Sequence, residues 1–329
     1  MTLPHLTQAQ APLTSEIEAV NEFGELHKVS IPAERALTVY VDKRELVTLM
    51  TLGANPELLV LGYLRNQRLV REVAEIQSIT VDWDVGAAAV KTHHGIADIE
   101  EKTAHRVVTT GCGQGSVFGG LMDELDKVAL PADAFITQSQ LCGLVNTIRL
   151  KETTYKSAGS VHACALFSTA AGEAQMLLFV EDVGRHNAID TIAGWMWMNM
   201  APTLSIACAA LPPGEAGLAW GGDPAPRLQA PALEAPKVAQ TLSTAGLVFY
   251  TTGRLTSEMV IKSAQMGVPI VVSRSGITQM GHQVAQSVGL CAIGRATNKR
   301  FLCYTQPQRL TLEPGMVSLS SSLAGKEAE

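Results

Sequence analysis

The chain has 329 residues, 47% of them hydrophobic, and a formal net charge of −6 at pH 7, which fits one large or two ordinary domains with a sizeable core. The negative charge disfavours unaided binding to nucleic acid or to an acidic membrane, and no apolar run reaches the roughly 18 residues that a membrane span needs. Met1 to Thr14 lack the basic start and apolar centre of a secretory signal, so the sequence predicts a cytoplasmic protein.

The N-terminal part of the sequence alternates apolar runs with turn residues. Residues 1–27 are polar and aperiodic, which predicts a flexible tail. The elements predicted after this tail are a hairpin over 36–50 that turns at Asp42-Lys43, a helix from Asn55 to about Arg65, and strands over 72–110, most clearly Ile79–Trp83. An Asn followed by Pro is typical of a helix N-terminus.

The C-terminal part predicts a regular alternation of strands and helices. The predicted elements are a helix over 133–150, a hairpin of strands 161–169 and 174–180, a helix over 185–199, a buried strand over 203–211, a strand over 247–251, a helix over 257–266, a strand over 268–273, a helix over 278–288 and a strand over 290–293. Residues 212–236 are rich in Pro, Gly and Ala and predict an inserted loop. The alternation favours a layered α/β sheet with helices on both faces.

One of the six cysteines differs from the others in its sequence context. Cys112 lies among glycines, which leave its sulfur unshielded and permit unusual backbone conformations, and His105 and Arg106 are near enough in sequence to favour a thiolate. The sequence leaves open whether this is a reactive thiol or a glycine-rich turn with an incidental cysteine. The cysteines predicted to be inert core thiols are Cys142, Cys164, Cys208, Cys291 and Cys303. No C-x-x-C pair supports a closed zinc site.

Residues 181–186, Glu-Asp-Val-Gly-Arg-His, join a predicted strand to a predicted helix. A helix N-terminus attracts anions through its free N–H groups and its dipole. The same dipole disfavours cations. Arg185 and His186 in the first turn therefore predict that an anion, such as a phosphate, binds beside them. The alternative is that Asp182 simply caps the helix. His162, alone in a predicted strand, is interpreted as a buried core residue.

Two further polar segments follow predicted strands. Residues 251–254 end a strand before a helix, where open α/β sheets bind ligands. On that helix Glu258 and Lys262 have the i,i+4 spacing of a surface ion pair. Residues 295–300 form a basic loop between two strands, predicted either as a plain hairpin turn or as a clamp for a phosphorylated ligand.

These segments occur in an order that is typical of one family. The motifs are Asn55-Pro56-Glu57-Leu58-Leu59 with Leu61-Gly62-Tyr63-Leu64, Gly111-Cys112-Gly113, Gly159-Ser160-Val161-His162-Ala163, residues 181–190, Thr252-Gly253-Arg254 with Ser257-Glu258-Met259 and Lys262-Ser263-Ala264, and residues 295–300 before Cys303-Tyr304-Thr305. The chain resembles the formate dehydrogenase accessory sulfurtransferase family, FdhD, over roughly residues 30–310, and the string of residues 181–186 is highly specific.

The resemblance implies a C-terminal domain with the layered α/β/α sheet of cytidine deaminases and a smaller β-rich N-terminal region. The predicted boundaries are a flexible tail over 1–27, an N-terminal domain with the cysteine loop over 28–128, a deaminase-like domain over 129–316 with an inserted loop over 212–236, and a tail over 317–329. Zinc is not expected, because the H-x-E and P-C-x-x-C signature of zinc deaminases is missing.

The resemblance also implies a sulfurtransferase function. Such proteins accept sulfur from a cysteine desulfurase as a cysteine persulfide. They pass it to the molybdenum or tungsten bis(guanine dinucleotide) pterin cofactor, held as a bound substrate, before the cofactor enters the formate dehydrogenase catalytic subunit. The persulfide carrier maps to Cys112, whereas the second cysteine of the family's C-G-x-C loop maps to Gly115 and is absent. One thiol suffices for one attack and one release.

A non-catalytic carrier or chaperone of the cofactor is the alternative function, and a generic nucleotide-binding module comes third. The choice of metal, the dehydrogenase served and the oligomeric state, a homodimer among the options, are left open by the sequence. The predicted cofactor-binding residues are Arg295, Ala296, Thr297, Asn298, Lys299 and Arg300, with Arg185, His186, Thr252, Gly253 and Arg254 lining the same cavity.

Overall fold

Two β-sheets organise the protein in a computed structural model, which describes residues 3–96, 99, 107–108, 115–116, 128–151, 154–204 and 243–314. The strands are β1 His5–Leu6, β2 Thr14–Val20, β3 Leu26–Pro32, β4 Arg35–Val41, β5 Arg44–Thr51, β6 Ile76–Asp82, β7 Ala87–Thr92, β8 Val107–Val108, β9 Gly115–Ser116, β10 Ile136–Thr137, β11 His162–Ser168, β12 Gln175–Asp182, β13 Leu247–Thr251, β14 Ile270–Ser273, β15 Cys291–Thr297, β16 Arg300–Cys303 and β17 Leu310–Thr311. The helices are α1 Pro56–Asn66, α2 Gln138–Lys151, α3 Thr154–Ala158, α4 Arg185–Leu204, α5 Ser257–Gln265 and α6 Gln279–Ser287. None of these helices has both the length and the apolar character needed to cross a membrane.

The first sheet has five strands in the order β1-β6-β7-β4-β5. Its β4–β5 hairpin turns at Asp42 and Lys43, whose φ angles of 46° and 73° lie in the left-handed region, as the sequence predicts for a tight turn. Inward-facing residues alternate along β4, where Leu37, Val39 and Val41 are at most 2% exposed, and they pack against α1. Pro56 begins α1 as predicted, although Asn55 makes no side-chain capping bond.

The second sheet has six strands in the order β12-β11-β13-β14-β15-β16. Strands β13, β14 and β15 are parallel to one another, whereas β11 and β16 run in the opposite direction. Helices α4, α5 and α6 share one core cluster with this sheet, and α2 shares another cluster with alternate residues of the same strands. Because alternate strand residues point to opposite faces, helices cover both faces. The mixed α/β fold is thereby confirmed.

Helices α1 and α4 cross at backbone contact and join the two sheets. A Cβ atom on Gly62 would lie 1.7 Å from the Asp190 carbonyl oxygen, and one on Gly194 would lie 2.0 Å from the Leu58 carbonyl oxygen. Any larger residue at either position would therefore force the two helices apart. Trp197 of α4 packs into the first sheet's core, while neighbouring α4 residues pack into the second.

Three predictions of local structure need correction. Residues 1–27, predicted as a flexible tail, contain β1, most of the β2–β3 ribbon and its turn. Residues 17, 19, 29 and 31 form an apolar stripe of period two on that ribbon, which their polar neighbours make hard to detect in the sequence. The predicted helix over 133–150 begins only at Gln138, because Ile136 and Thr137 pair with β17, far along the chain. Thr203 and Leu204 end α4 rather than begin a strand. Residues 205–211, the loop over 212–236 and the tail over 317–329 lie outside the described residues.

Candidate functional site

The carboxyl ends of β12, β13, β14 and β15 meet at one edge of the six-stranded sheet, because these four strands run in one direction. The start of β11 lies at the same edge, since His162 pairs with Asp182. The segments that reach this edge are 182–186 after β12, 251–254 after β13, 273–275 after β14 and 295–300 around the β15–β16 turn. The structure thus brings together all the polar junctions that the sequence predicts to bind an anion. Cys112, His105 and Arg106 lie outside the described residues.

Asp182 connects the two sheets instead of acting as a simple helix cap. Its Oδ2 accepts hydrogen bonds from Thr51 Oγ1 at 2.5 Å and from the Leu52 N–H at 3.1 Å. Its Oδ1 accepts from the Gly184 N–H at 2.9 Å and from Asn187 Nδ2 at 2.8 Å. Burial raises the pKa of the Asp182 carboxyl, and these hydrogen bonds oppose the rise. The carboxylate therefore serves the fold and is not exposed to a ligand.

Glu181, the preceding residue, also has a structural role. Its two carboxylate oxygens accept hydrogen bonds from the backbone N–H groups of Thr154 and Tyr155, at 2.9 and 3.0 Å, where α3 begins. A carboxylate at this position satisfies N–H groups that the helix itself leaves without acceptors. Both acidic residues of the 181–186 string are thus used inside the protein.

Four ionisable side chains form a buried network between α4 and α5. His186 Nε2 lies 3.1 Å from Glu258 Oε2, and Lys262 Nζ lies 2.9 Å from Asp190 Oδ2 and 3.8 Å from Glu258 Oε1. Asn66 Nδ2 of α1 donates to Asp190 Oδ1 at 2.7 Å. Burial raises the pKa of Asp190, and the Lys262 ammonium opposes the rise.

This network corrects the interpretation of Glu258 and Lys262 as a surface ion pair. Lys262 and Asp190 are 0% exposed, and Glu258 is 6% exposed. The partner pair on α4, His186 and Asp190, has the same i,i+4 spacing as Glu258 and Lys262 on α5. Matching i,i+4 pairs on two helices were the signal that could have revealed the contact. Sequence reasoning also missed Asn66.

Arg185 packs directly against the segment that follows β13. The side chain is 7% exposed, and its Cδ would lie 2.8 Å from a Cβ atom on Gly253, so a larger residue there would displace the Arg185 side chain. The Gly253 carbonyl accepts a hydrogen bond from Ser273 Oγ at 2.6 Å, and its N–H donates to Thr251 Oγ1 at 3.0 Å. The predicted neighbourhood of Arg185 with residues 252–254 therefore exists, and Ser273 is a further member that no sequence pattern indicates.

His162 lies half-buried at the site edge, which corrects its interpretation as a core residue. Burial lowers the pKa of His162, and the positive charges of Arg185, His186 and Arg254 lower it further. Arg254 itself is exposed. This corner of the sheet edge is therefore a cationic cluster in which the neutral imidazole is favoured.

The β15–β16 hairpin, residues 295–300, projects beyond the same edge. Val272 pairs with Ile293, so β15 continues past the end of β14. Arg295, at an irregularity within β15, and Asn298, in the turn, have φ angles near 50°. The Arg295 N–H donates to the Ser275 carbonyl at 2.7 Å, and Ser275 Oγ donates to the Thr252 carbonyl at 2.9 Å. These two bonds tie the hairpin to the Thr252 segment.

The hairpin side chains differ in their exposure. Arg295 and residues 297–300 are exposed, and a cavity of about 590 Å³ is lined by Thr297, Asn298, Lys299 and Arg300. Ala296 is only 2% exposed and belongs to the core cluster under α2, so its side chain is turned away from this cavity. Arg185 is not among the residues described as lining it, and the predicted common cavity stays a prediction.

The described cysteines are all free thiols, in two environments. Cys164 and Cys291 are buried, as predicted for core thiols, whereas Cys142 and Cys303 are only half-buried, which corrects their prediction as core thiols. Burial raises the pKa of Cys164 to about 12. Cys208 lies outside the described residues, and Gly115, where the resemblance predicts that a second loop cysteine is missing, begins β9 and pairs with Val108.

Comparisons with known proteins agree on one family. A family model described as the FdhD/NarQ family matches residues 32–208 and 237–311. The chain is similar to the sulfur carrier protein FdhD of Bacillus subtilis, at 27% identity over 88% of this chain and 94% of the relative, and to that of Bacillus pumilus, at 26% identity over 84% and 89%. A crystal structure described as a formate dehydrogenase accessory protein from Desulfotalea psychrophila superposes with a TM-score of 0.61 at 20% identity, covering 91% of this chain and all of the other. At that identity, the structural likeness shows the fold alone.

Proposed function

The chain belongs to the FdhD/NarQ family, and from this premise we propose that it is a cytoplasmic sulfurtransferase that serves formate dehydrogenase. It takes sulfur from a cysteine desulfurase as a persulfide on Cys112. It delivers this sulfur to the molybdenum or tungsten bis(guanine dinucleotide) pterin cofactor, its bound substrate, before the cofactor enters the dehydrogenase's catalytic subunit. The names of the relatives, sulfur carrier proteins, support the sulfur-handling part of the proposal.

The exposed cationic hairpin is the observation that carries the cofactor part of the proposal. Arg295, Lys299 and Arg300 are exposed, and none of them forms an ion pair with the residues that the structure describes. Charge-assisted hydrogen bonds to a phosphate are worth about 1.5–3 kcal/mol each. A dinucleotide pterin carries several phosphate groups, so a cavity lined by Lys299 and Arg300, with Arg295 exposed on the same hairpin, fits this class of substrate.

The carrier step requires only one thiol. The Cys112 thiolate attacks the terminal sulfur of the desulfurase persulfide, a new S–S bond forms on Cys112, and the desulfurase thiolate leaves. Delivery of that sulfur to the cofactor as sulfide consumes two electrons, for which a cellular thiol reductant is the proposed source, and restores the Cys112 thiol. This role of Cys112 is carried over from the family resemblance.

We infer further that the helix-covered six-stranded sheet is a variant of the cytidine deaminase layers. A second candidate function, a non-catalytic carrier that binds and docks the cofactor, is favoured by the absence of the second loop cysteine, since Gly115 occupies its position. Complementation separates the two functions: Cys112→Ala should restore formate dehydrogenase activity in a strain lacking this protein only if the carrier function holds.

Sulfur loading tests the sulfurtransferase directly. Wild-type protein and Cys112→Ala are incubated with desulfurase and cysteine bearing labelled sulfur, and the retained label that a thiol reductant releases is counted. We expect retained label on the wild-type protein and on a Cys142→Ala control, and background label on Cys112→Ala. Equal retained label on wild type and Cys112→Ala would contradict the assignment.

A further inference from the structure

Two thiols touch at the base of the cationic hairpin. Cys291 Sγ on β15 and Cys303 Sγ on β16 are 3.9 Å apart, on neighbouring antiparallel strands. Cys303 Sγ also lies 3.3 Å from the Thr305 carbonyl oxygen. The two strands continue directly into residues 295–300, so any covalent change at these thiols occurs at the hairpin that the proposed cofactor site uses.

The two thiols differ in exposure. Cys291 is 0% exposed and belongs to the core cluster under α2, whereas Cys303 is half-buried at the margin of that cluster, on an edge strand of the sheet. A reagent can therefore reach Cys303 but not Cys291. In this arrangement Cys303 can attack an external sulfur compound, and Cys291 lies close enough to react with Cys303 in a second step.

The acidities of the two thiols follow the same division. The hydrogen bond with Cys291 lowers the pKa of Cys303, although burial opposes this effect. That hydrogen bond and burial both raise the pKa of Cys291. Cys303 is thus the more acidic thiol of the pair, and Cys291 the less acidic one.

We propose that Cys303 and Cys291 form a dithiol site that reacts with sulfane sulfur, the zero-valent sulfur of persulfides and polysulfides. In the first step the Cys303 thiolate attacks the sulfane sulfur, forms a persulfide and expels the donor's thiolate or shortened polysulfide. In the second step Cys291 Sγ attacks Cys303 Sγ while the Cys291 proton passes to the deprotonated terminal sulfur of the persulfide. The Cys291–Cys303 disulfide forms, and the terminal sulfur leaves with that proton as hydrosulfide.

The electrons balance within the pair. Two thiols are oxidised to one disulfide while one sulfane sulfur is reduced to sulfide, so no further oxidant enters. Rotation of the two side chains has to bring the sulfurs from 3.9 Å to the roughly 2.05 Å of a disulfide. A cellular dithiol reductant returns the site to its starting state. Because Cys303 passes its sulfur on as sulfide, it retains no persulfide that would obscure loading of Cys112.

The test uses full-length Cys112→Ser protein, reduced beforehand and treated with inorganic tetrasulfide, without desulfurase or cofactor. Its outcome is therefore independent of the proposed function. Peptide mapping by mass spectrometry should find Cys291 and Cys303 joined by a disulfide. In Cys112→Ser/Cys291→Ser the resolving thiol is missing, and Cys303 should instead retain one extra sulfur atom. In Cys112→Ser/Cys303→Ser neither product should form, and Cys142→Ser should change nothing.

A second measurement does not depend on the folding of these variants. In the Cys112→Ser protein, iodoacetamide should alkylate Cys303 about tenfold faster than Cys142, since burial raises the pKa of Cys142 whereas that of Cys303 is lowered. An unmodified Cys303 after tetrasulfide treatment would overturn the proposal, as would a Cys303 persulfide that persists beside an intact Cys291. Alkylation of Cys142 as fast as Cys303 would overturn the assigned nucleophile.

Discussion

Two polar regions at one sheet edge have opposite environments. The buried junction, residues 181–190 with Glu258 and Lys262, places its charges inside the protein, where they pair with one another. The exposed hairpin, residues 295–300, directs three cations into solvent. Both segments look like anion sites in the sequence. In the buried junction, His186 and Lys262 already have carboxylate partners within the protein. The cations of the exposed hairpin are instead available to a ligand.

Desolvation explains why the two regions differ. A charge taken out of water costs several kcal/mol, so each buried charge requires a partner of opposite sign. Lys262 meets this requirement with Asp190, and His186 with Glu258. Because the hairpin projects past the sheet edge, its cations stay hydrated and do not incur this desolvation cost. They are therefore available to bind a phosphate.

Breaking the buried junction should have the largest effect on stability. Lys262→Met leaves Asp190 and Glu258 buried without their ammonium partner, so we expect a loss of about 3–5 kcal/mol in the free energy of unfolding. Urea denaturation measures it. Lys28→Met is the matched control, because Lys28 pairs with Glu16 at 3.2 Å on the surface and should change stability by less than about 1 kcal/mol. Equal effects of the two substitutions would contradict the division between the regions.

The pH dependence of folding stability tests whether the cationic cluster acts on His162. Burial and the charges of Arg185, His186 and Arg254 lower its pKa, so the unfolded chain takes up a proton near pH 6.5 before the folded chain does. Stability is therefore lost as pH falls below about 6.5.

His162→Asn removes this loss, and its thermal midpoint should fall less than that of the wild type between pH 7 and pH 5.5. The exposed His5 of β1 provides the control; His5→Asn should follow the wild-type curve. A His162→Asn curve parallel to that of wild type would show that the cationic cluster does not act on this imidazole.

Local patterns were sufficient to predict much of this fold. The turn at Asp42-Lys43 and the strand–helix alternation after residue 247 follow from periodicity and turn residues, and the structure confirms them. The β10–β17 pair was missed because it joins segments far apart in the chain.

The site was predictable as a set of junctions but not as an arrangement. The sequence placed Arg185 and the 251–254 segment at strand ends, and the sheet's parallel strands bring those ends together. It could not show that Lys262 is buried, because that depends on Asp190, 72 residues upstream. The contact between Cys291 and Cys303 likewise depends on the register of β15 and β16.

Calorimetric titration of guanosine diphosphate, which stands in for half of the cofactor, tests the central claim most directly. Lys299→Ala/Arg300→Ala removes two cations of the exposed hairpin and should weaken binding about 100-fold, at about 1.5 kcal/mol for each lost contact. The same variant should keep the wild-type free energy of unfolding within about 0.5 kcal/mol, because both side chains are exposed. Unchanged affinity for the nucleotide in this correctly folded variant would contradict the account.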